Sequence, residues 1–198
     1  MNWANGLTLA RMIMGPVVLA CLLLGAVRPA FVLFLIAMVT DLYDGYLARR
    51  SNNVTEFGKL MDPLADKVLV SMVLVGFLIM GLRFVTLWMI AAILARELLI
   101  LGCRTGVFKS GEGFVTSRTA KWKTAAQMIW IAATLLYLTI RATLGMGPAD
   151  PGHDTVEKVL WVFGVVAVVL TLVSGAEYIL GGRRTGDLSP VTEPREET

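Results

Sequence analysis

Six stretches of mainly apolar residues follow one another along the chain, set apart by short polar or glycine- and proline-bearing turns. They run roughly from Leu7 to Val27, Ala30 to Arg50, Leu60 to Leu82, Phe84 to Cys103, Lys123 to Leu144 and Val156 to Leu180. At 1.5 Å per residue, about 20 helical residues cross a hydrocarbon layer of ~30 Å, and each stretch meets that requirement. The pattern predicts an all-α integral membrane protein with six transmembrane helices in one domain, residues 1–184. The remaining segment, 185–198 (TGDLSPVTEPREET), is polar, contains Pro190 and Pro194, and reads as a disordered tail. The first stretch does not read as a cleavable signal, because Pro16 interrupts it and neither a basic leader nor a small-residue cleavage site flanks it. No internal repeat at a period of 20–50 residues is visible.

Composition narrows the class further. Of 198 residues, 56% are hydrophobic and 17% charged, and mean hydropathy is +0.70. A soluble domain carries about a quarter charged residues, so a water-soluble globule is disfavoured, as are a disordered chain and a disulfide scaffold. Cys21 and Cys103 both lie in apolar stretches without a CxxC spacing and read as inert packing residues. A formal net charge of +3 gives no reason to expect a nucleic-acid partner. Placement of the charge is more informative. Fourteen of the 18 Lys and Arg residues fall on one side of the six spans, and only Arg28, Arg83, Arg141 and Lys158 on the other. The positive-inside rule therefore puts both termini, and the second–third and fourth–fifth connections, in the cytoplasm.

Against that background four carboxylates stand out. Asp41 and Asp44 come late in the second span, Asp62 and Asp66 early in the third. An aspartate at mid-span costs about 2.5 to 3.5 kcal/mol, less near the interface, so four together need compensating cations. Spacings of i, i+3 and i, i+4 put each pair on one helix face. The connection from Ser51 to Phe57 is short, so the two helices are expected to be antiparallel neighbours with all four acids at the cytoplasmic end. Gly45 and Ala48 follow Asp41 on its face and Gly58 precedes Asp62, which leaves room for a ligand or a close helix approach. Arg49 adds a planar fork suited to phosphate. Hard oxygen donors without His or Cys suit Mg²⁺ or Mn²⁺, and two such ions flanking a diphosphate would support in-line displacement. Two other readings stand beside this one. The acids could form an ion-pair cluster with Arg49, Arg50, Lys59 and Lys67, or could serve a divalent-cation transporter. A transporter would place acids near mid-membrane, whereas these lie at one end.

The string DLYDGYLARRSNNVTEFGKLMDPLAD places Asp41, Asp44, Gly45, Ala48, Arg49, Gly58, Asp62 and Asp66 in the arrangement D-x2-D-G-x2-A-R-x8-G-x3-D-x3-D. This resembles the signature of the CDP-alcohol phosphotransferases at every fixed position. With typical residue usage, a chance match is on the order of one in 10⁹ or rarer per start site. The resemblance implies a six-helix membrane enzyme, usually dimeric, that uses two divalent cations (Mg²⁺ or Mn²⁺) to transfer a phosphoryl-linked group from a CDP-activated donor and release CMP. It implies that Asp41, Asp44, Asp62 and Asp66 hold the metals and that Asp66 is the general base. The CDP site would comprise Asn5, Thr8, Asp44, Gly45, Ala48, Arg49 and Gly58.

Flanking segments are similar to the branch of that family that joins CDP-diacylglycerol to sn-glycerol 3-phosphate. They are NGLTLARMIMGP with Asn5, Leu7, Thr8, Arg11 and Pro16, DPLADK with Pro63 and Lys67, ARELLILGCR with Arg96, Glu97 and Arg104, and KWKTAAQ with Lys121, Lys123, Thr124 and Gln127. Ala120 departs from the glycine expected before Lys121. The implied setting is a bacterial inner membrane, with the site open to the cytoplasm and to lipid. Arg96, Arg104, Arg118, Lys121 and Lys123 lie at the cytoplasmic end and would bind the acceptor's phosphate. Arg96 could instead form an ion pair with Glu97. Sibling acceptors, phosphatidylglycerol or inositol phosphate, are the alternatives within the family. His153, in the segment GPADPGHD, reads as a solvated loop residue, and Gly102 with Gly106 forms a weak GxxxG packing motif.

Overall fold

One helix forms for each apolar stretch: α1 (Trp3–Leu23), α2 (Val27–Ala48), α3 (Glu56–Ile79), α4 (Leu87–Val107), α5 (Arg118–Leu144) and α6 (His153–Thr185). The computed structural model describes residues 3–48, 56–107, 118–147, 150 and 152–185, with side chains chiefly over 9–41, 67–102, 122–147 and 152–178. Among these residues there is no strand. The tail beyond residue 185 lies outside the described residues.

Glycines end three of these helices, α1 at Gly25, α3 at Gly81 and α5 at Gly145. After α1, Gly25 adopts φ +71°, the Gly25 N–H donates to Leu22 O, and the Ala26 N–H donates to Cys21 O at 2.8 Å. This six-to-one closure satisfies carbonyls that the helix end leaves open, and only glycine takes the left-handed conformation without strain. Gly145 (φ +66°) ends α5 in the same manner, with the Met146 N–H on Arg141 O. Helix α1 continues through Pro16. Proline removes a backbone donor there, which packed neighbours in a bundle tolerate better than water does.

Packing follows where side chains are small. Helix α1 packs on α3 and α2, α5 on α6 and α2, and α4 on α6 and α3. At Gly15 a Cβ would stand 3.2 Å from the Leu69 Cα, and at Gly76 it would stand 2.7 Å from a Leu22 methyl. Gly15 to Leu22 and Leu69 to Gly76 are equal steps of two turns, so α1 and α3 run parallel and in register. Helices α2 and α3 make no extensive contact among the described residues, which leave out the side chains of their joined ends, where the neighbour relation is expected. A short connection constrains only the joined ends, whereas the glycines let α1 approach α3 along its length.

Polar contacts establish the alternation of the six helices. Toward one end they join the first half of α1 to the last third of α2 (Arg11–Asp41), the middle of α3 and the start of α5 to the middle of α4 (Lys67 and Lys123 with Glu97), and the middle of α4 to the second half of α6 (Arg96–Ser174). At the opposite end Arg28 of α2 donates to Ala142 O of α5, and the Tyr137 hydroxyl lies 2.6 Å from His153 Nδ1. His153 also approaches Glu157 at 3.2 Å and is buried, so it is not the solvated loop residue expected. Gly152, at φ +85°, turns the chain so that His153 begins α6 beneath Tyr137.

The core is built from Val18, Leu22, Phe34, Leu69, Phe77, Met89, Ile93, Trp130 and Leu135, all nearly or fully buried. The outward faces are apolar too, including Leu24, Leu87, Leu98, Trp122 and Leu144, and Val159, Val162, Val166, Val169 and Val173 of α6. Helices apolar on both faces match an apolar solvent, not water. Two described stretches, Trp122–Leu144 and His153–Tyr178, are long and apolar enough to cross a membrane, and shorter apolar stretches occur at Leu9–Leu23 and Lys67–Ile79.

Candidate active site

Two charged groups at the same end of the bundle carry the chemistry that the described residues display. The first is an ion pair between α1 and α2. Arg11 is 2% exposed, lies on the α1 stripe that continues through Gly15, Val18 and Leu22, and places Nη1 2.8 Å from Asp41 Oδ1. The Asp41 side chain keeps 41% of its surface exposed, so a buried cation holds a carboxylate that still faces outward. Because α1 and α3 are in register at Gly15 and Leu69, one turn back sets Arg11 level with Ala65, which is fully buried. Ala65 lies in the same turn of α3 as Asp62 and Asp66. Arg11 thus ties the level of Asp41 on α2 to the level of the acidic turn of α3.

The second group centres on Glu97 of α4, which is 8% exposed. Lys67 of α3 donates to its Oε2, and Lys123 of α5 donates to its Oε1. Arg96 Nη1 donates to the same Oε1 at 3.2 Å, and Arg96 Nη2 donates to Ser174 Oγ of α6 at 2.6 Å. A Cβ on Gly175 would meet the Arg96 Cγ at 3.1 Å, so α6 is stripped of side chain where Arg96 passes. One turn deeper, buried Gln127 donates to Thr171 Oγ1 at 3.1 Å, and Thr171 donates to Ala167 O. Burying ions costs several kcal/mol each unless partners replace water, and here one carboxylate answers three cations.

Of the residues singled out from the sequence, Arg96 and Lys123 come together, and the ion pair of Arg96 with Glu97 is present. Lys67 reaches Glu97, a partner that sequence reasoning did not assign to it. Sequence reasoning also missed the roles of Arg11 and Glu97. The available signal was an ionisable residue inside an apolar run, which requires a partner. Asp44, Gly45 and Ala48 lie in the last turns of α2, and Gly58, Asp62 and Asp66 in the first turns of α3. Asn5 and Thr8 open α1, Arg104 closes α4, and Arg118 and Lys121 open α5. The side chains of these eleven expected site residues, and Arg49 altogether, lie outside the described residues. Among the described residues no three carboxylate, His or Cys groups gather at a metal-binding distance. Cys21 is a half-buried free thiol.

Comparison with known proteins gives a consistent result. A family model described as CDP-alcohol phosphatidyltransferase matches residues 1–173. A Bacillus subtilis protein named CDP-diacylglycerol–glycerol-3-phosphate 3-phosphatidyltransferase is 40% identical over 147 residues, covering 74% of this chain and 69% of its own. A Cereibacter sphaeroides protein of the same name is 39% identical, covering 90% of this chain and 95% of its own. A Mycobacterium tuberculosis protein named probable phosphatidylglycerophosphate synthase is 34% identical over 90% of this chain and 80% of its own. With the match running from α1 into α6, and with the acidic turns and the Glu97 cluster at one end of the bundle, this chain belongs to the CDP-alcohol phosphatidyltransferase family.

Proposed function

We infer that this protein transfers the phosphatidyl group of CDP-diacylglycerol to sn-glycerol 3-phosphate, giving phosphatidylglycerophosphate and CMP. The observation that carries the reading is the gathering of Lys67, Arg96 and Lys123 around Glu97, at the bundle end that also holds the acidic turns of α2 and α3. Such a cluster suits an acceptor that brings a phosphate dianion. The names of the relatives agree with it.

The reaction forms a bond from the acceptor's primary hydroxyl oxygen to the phosphorus that bears diacylglycerol, and it breaks that phosphorus's bond to CMP. The hydroxyl proton leaves to a base, for which Asp66 is positioned by sequence, and CMP takes the electron pair of the broken bond. Two divalent cations, Mg²⁺ or Mn²⁺, held by Asp41, Asp44, Asp62 and Asp66, would neutralise the diphosphate and stabilise both oxygens. The donor set fits such ions, being hard oxygen throughout, and Asp41 stays outward-facing while Arg11 fixes one of its oxygens. Asn5, Thr8, Gly45, Ala48, Arg49 and Gly58 form the CDP site, with Arg49 on phosphate. Arg104, Arg118 and Lys121 extend the acceptor site around Arg96 and Lys123.

Six spans with both termini in the cytoplasm, a bacterial inner-membrane location and a homodimer complete the proposal. Residues 1–184 make the catalytic domain and 185–198 the tail. The test is CMP release by the purified protein from CDP-diacylglycerol with and without glycerol 3-phosphate, and with phosphatidylglycerol or inositol phosphate instead. Rapid release with glycerol 3-phosphate alone is expected, and faster release with another acceptor overturns the assignment. Asp62→Ala and Asp66→Asn should abolish turnover while leaving a well-behaved membrane protein; full activity in either removes the site.

A further inference from the structure

We propose that Gln127 reads the secondary hydroxyl of the acceptor, its amide oxygen accepting the hydrogen bond that separates glycerol 3-phosphate from a phosphorylated alcohol lacking that group. The proposal rests on the acceptor reading given above. Gln127 is 3% exposed and lies on α5 one turn deeper than Lys123, on the same helix face. Opposite it, Thr171 of α6 lies one turn deeper than Ser174, which receives Arg96. The Gln127–Thr171 pair is thus the next layer beneath Arg96 and Lys123, the two described residues assigned to the acceptor's phosphate.

The orientation of the amide follows from a count of protons. Thr171 has one hydroxyl hydrogen and gives it to Ala167 O at 2.6 Å. Its oxygen is left only to accept, so the group of Gln127 that faces it at 3.1 Å is the NH₂. The carbonyl is thereby turned away from Thr171. No described residue donates to Oε1, and unlike the sealed Thr134 hydroxyl it keeps a small accessible surface. An amide oxygen fixed in so enclosed a place calls for a donor from outside the chain.

The chemistry of the acceptor selects that donor. A phosphate dianion has no hydrogen to give and is repelled by a carbonyl oxygen. Glycerol 3-phosphate brings two hydroxyls. The primary one loses its proton in the reaction, which leaves the secondary one for Gln127. Gln127 therefore touches the acceptor beside the reacting atoms and sets which acceptor is used. A site built to hydrogen-bond a hydroxyl rejects the analogue without it, because its own polar group is then left unpaired.

Rates of CMP release by the full-length protein in detergent–lipid micelles test this, with glycerol 3-phosphate or with 3-hydroxypropyl phosphate, which lacks the secondary hydroxyl. Wild type is expected to favour glycerol 3-phosphate by about tenfold or more in kcat/KM. Gln127→Met keeps the length without the acceptor oxygen and should bring that ratio to within about twofold of unity, with the KM for CDP-diacylglycerol changed by less than about twofold. Thr171→Val releases the amide and should lower the ratio in the same direction, whereas Thr171→Ser keeps the hydroxyl and should preserve it.

A wild-type ratio near one overturns the proposal. So does a Gln127→Met protein that slows with both acceptors equally and keeps the wild-type ratio, since the amide then only braces α5 on α6. If Gln127→Met does not fold, the Thr171 variants decide, and an unchanged ratio in Thr171→Val is the overturning result. A wild-type protein that releases no CMP with glycerol 3-phosphate fails the acceptor reading itself and takes this proposal with it, an outcome distinct from the others.

Discussion

Arg11 and Asp41 show how a single buried charge can organise an outward-facing one. The guanidinium is enclosed between α1 and its neighbours, so its donors are fixed, and Asp41 receives one of them at 2.8 Å. Groups that orient a metal-binding carboxylate commonly change affinity by about 10- to 100-fold when removed, and Arg11→Leu should raise the half-saturating Mg²⁺ concentration by that factor. Mg²⁺ titration of CMP release checks this, and an unchanged titration separates Arg11 from the metal site. Gly175 acts on the other group by having no side chain. A Cβ there meets the Arg96 Cγ at 3.1 Å. Gly175→Ala asks the chain of Arg96 to give by a few tenths of an ångström, and Gly175→Leu cannot be met that way. The expected order for acceptor KM is wild type, then Ala, then Leu, with Leu up by about tenfold if Arg96 leaves Ser174 and Glu97. The basic residues themselves were legible in the sequence, but the carboxylate on which they converge was not, because Glu97 is adjacent in sequence to Arg96 alone.

Helices α1 and α3 run parallel and in register because two glycines remove the side chains that would hold them apart. Gly15 faces the backbone of Leu69, which cannot step aside as a side-chain end could. Gly15→Ala should destabilise the protein by about 1–3 kcal/mol and lower its activity, since the same contact sets the level of Arg11. Gly164→Ala should destabilise at least as much, because its Cβ would fall 2.7 Å from the ring of Trp130, whose indole N–H is tied to Leu160 O. Gly102→Ala, which meets nothing within 4 Å among the described residues, is the control. Unfolding midpoints in detergent read all three. The helices were legible as apolar stretches of membrane-crossing length, and each stretch gave one helix. Which helices pack together was not. The short link between the second and third spans suggested direct neighbours, yet α1 packs against both, because close approach depends on facing small residues and not on loop length.

For the molecule as a whole, the two ends differ in chemistry. One end gathers Arg11, Asp41, Lys67, Arg96, Glu97 and Lys123, and the other Arg28, Tyr137, Arg141, His153 and Glu157. In a chain whose two native cysteines are replaced by alanine, Asp154→Cys, exposed in the first turn of α6, should react with a membrane-impermeant maleimide in intact cells. A cysteine added after Thr198 should react only once the membrane is opened. The reverse pattern overturns the sidedness drawn from the basic residues. The amino-acid sequence by itself determined that the chain is helical and built for lipid, which family it belongs to, and which acids lie in which turn. These properties depend on hydropathy and spacing, which are local along the chain. Tertiary structure alone decided that Arg11 answers Asp41, that α1 lies along α3, and that Glu97 collects cations from three helices. Those depend on which side chains are small enough to let helices meet and on which buried charges then find one another.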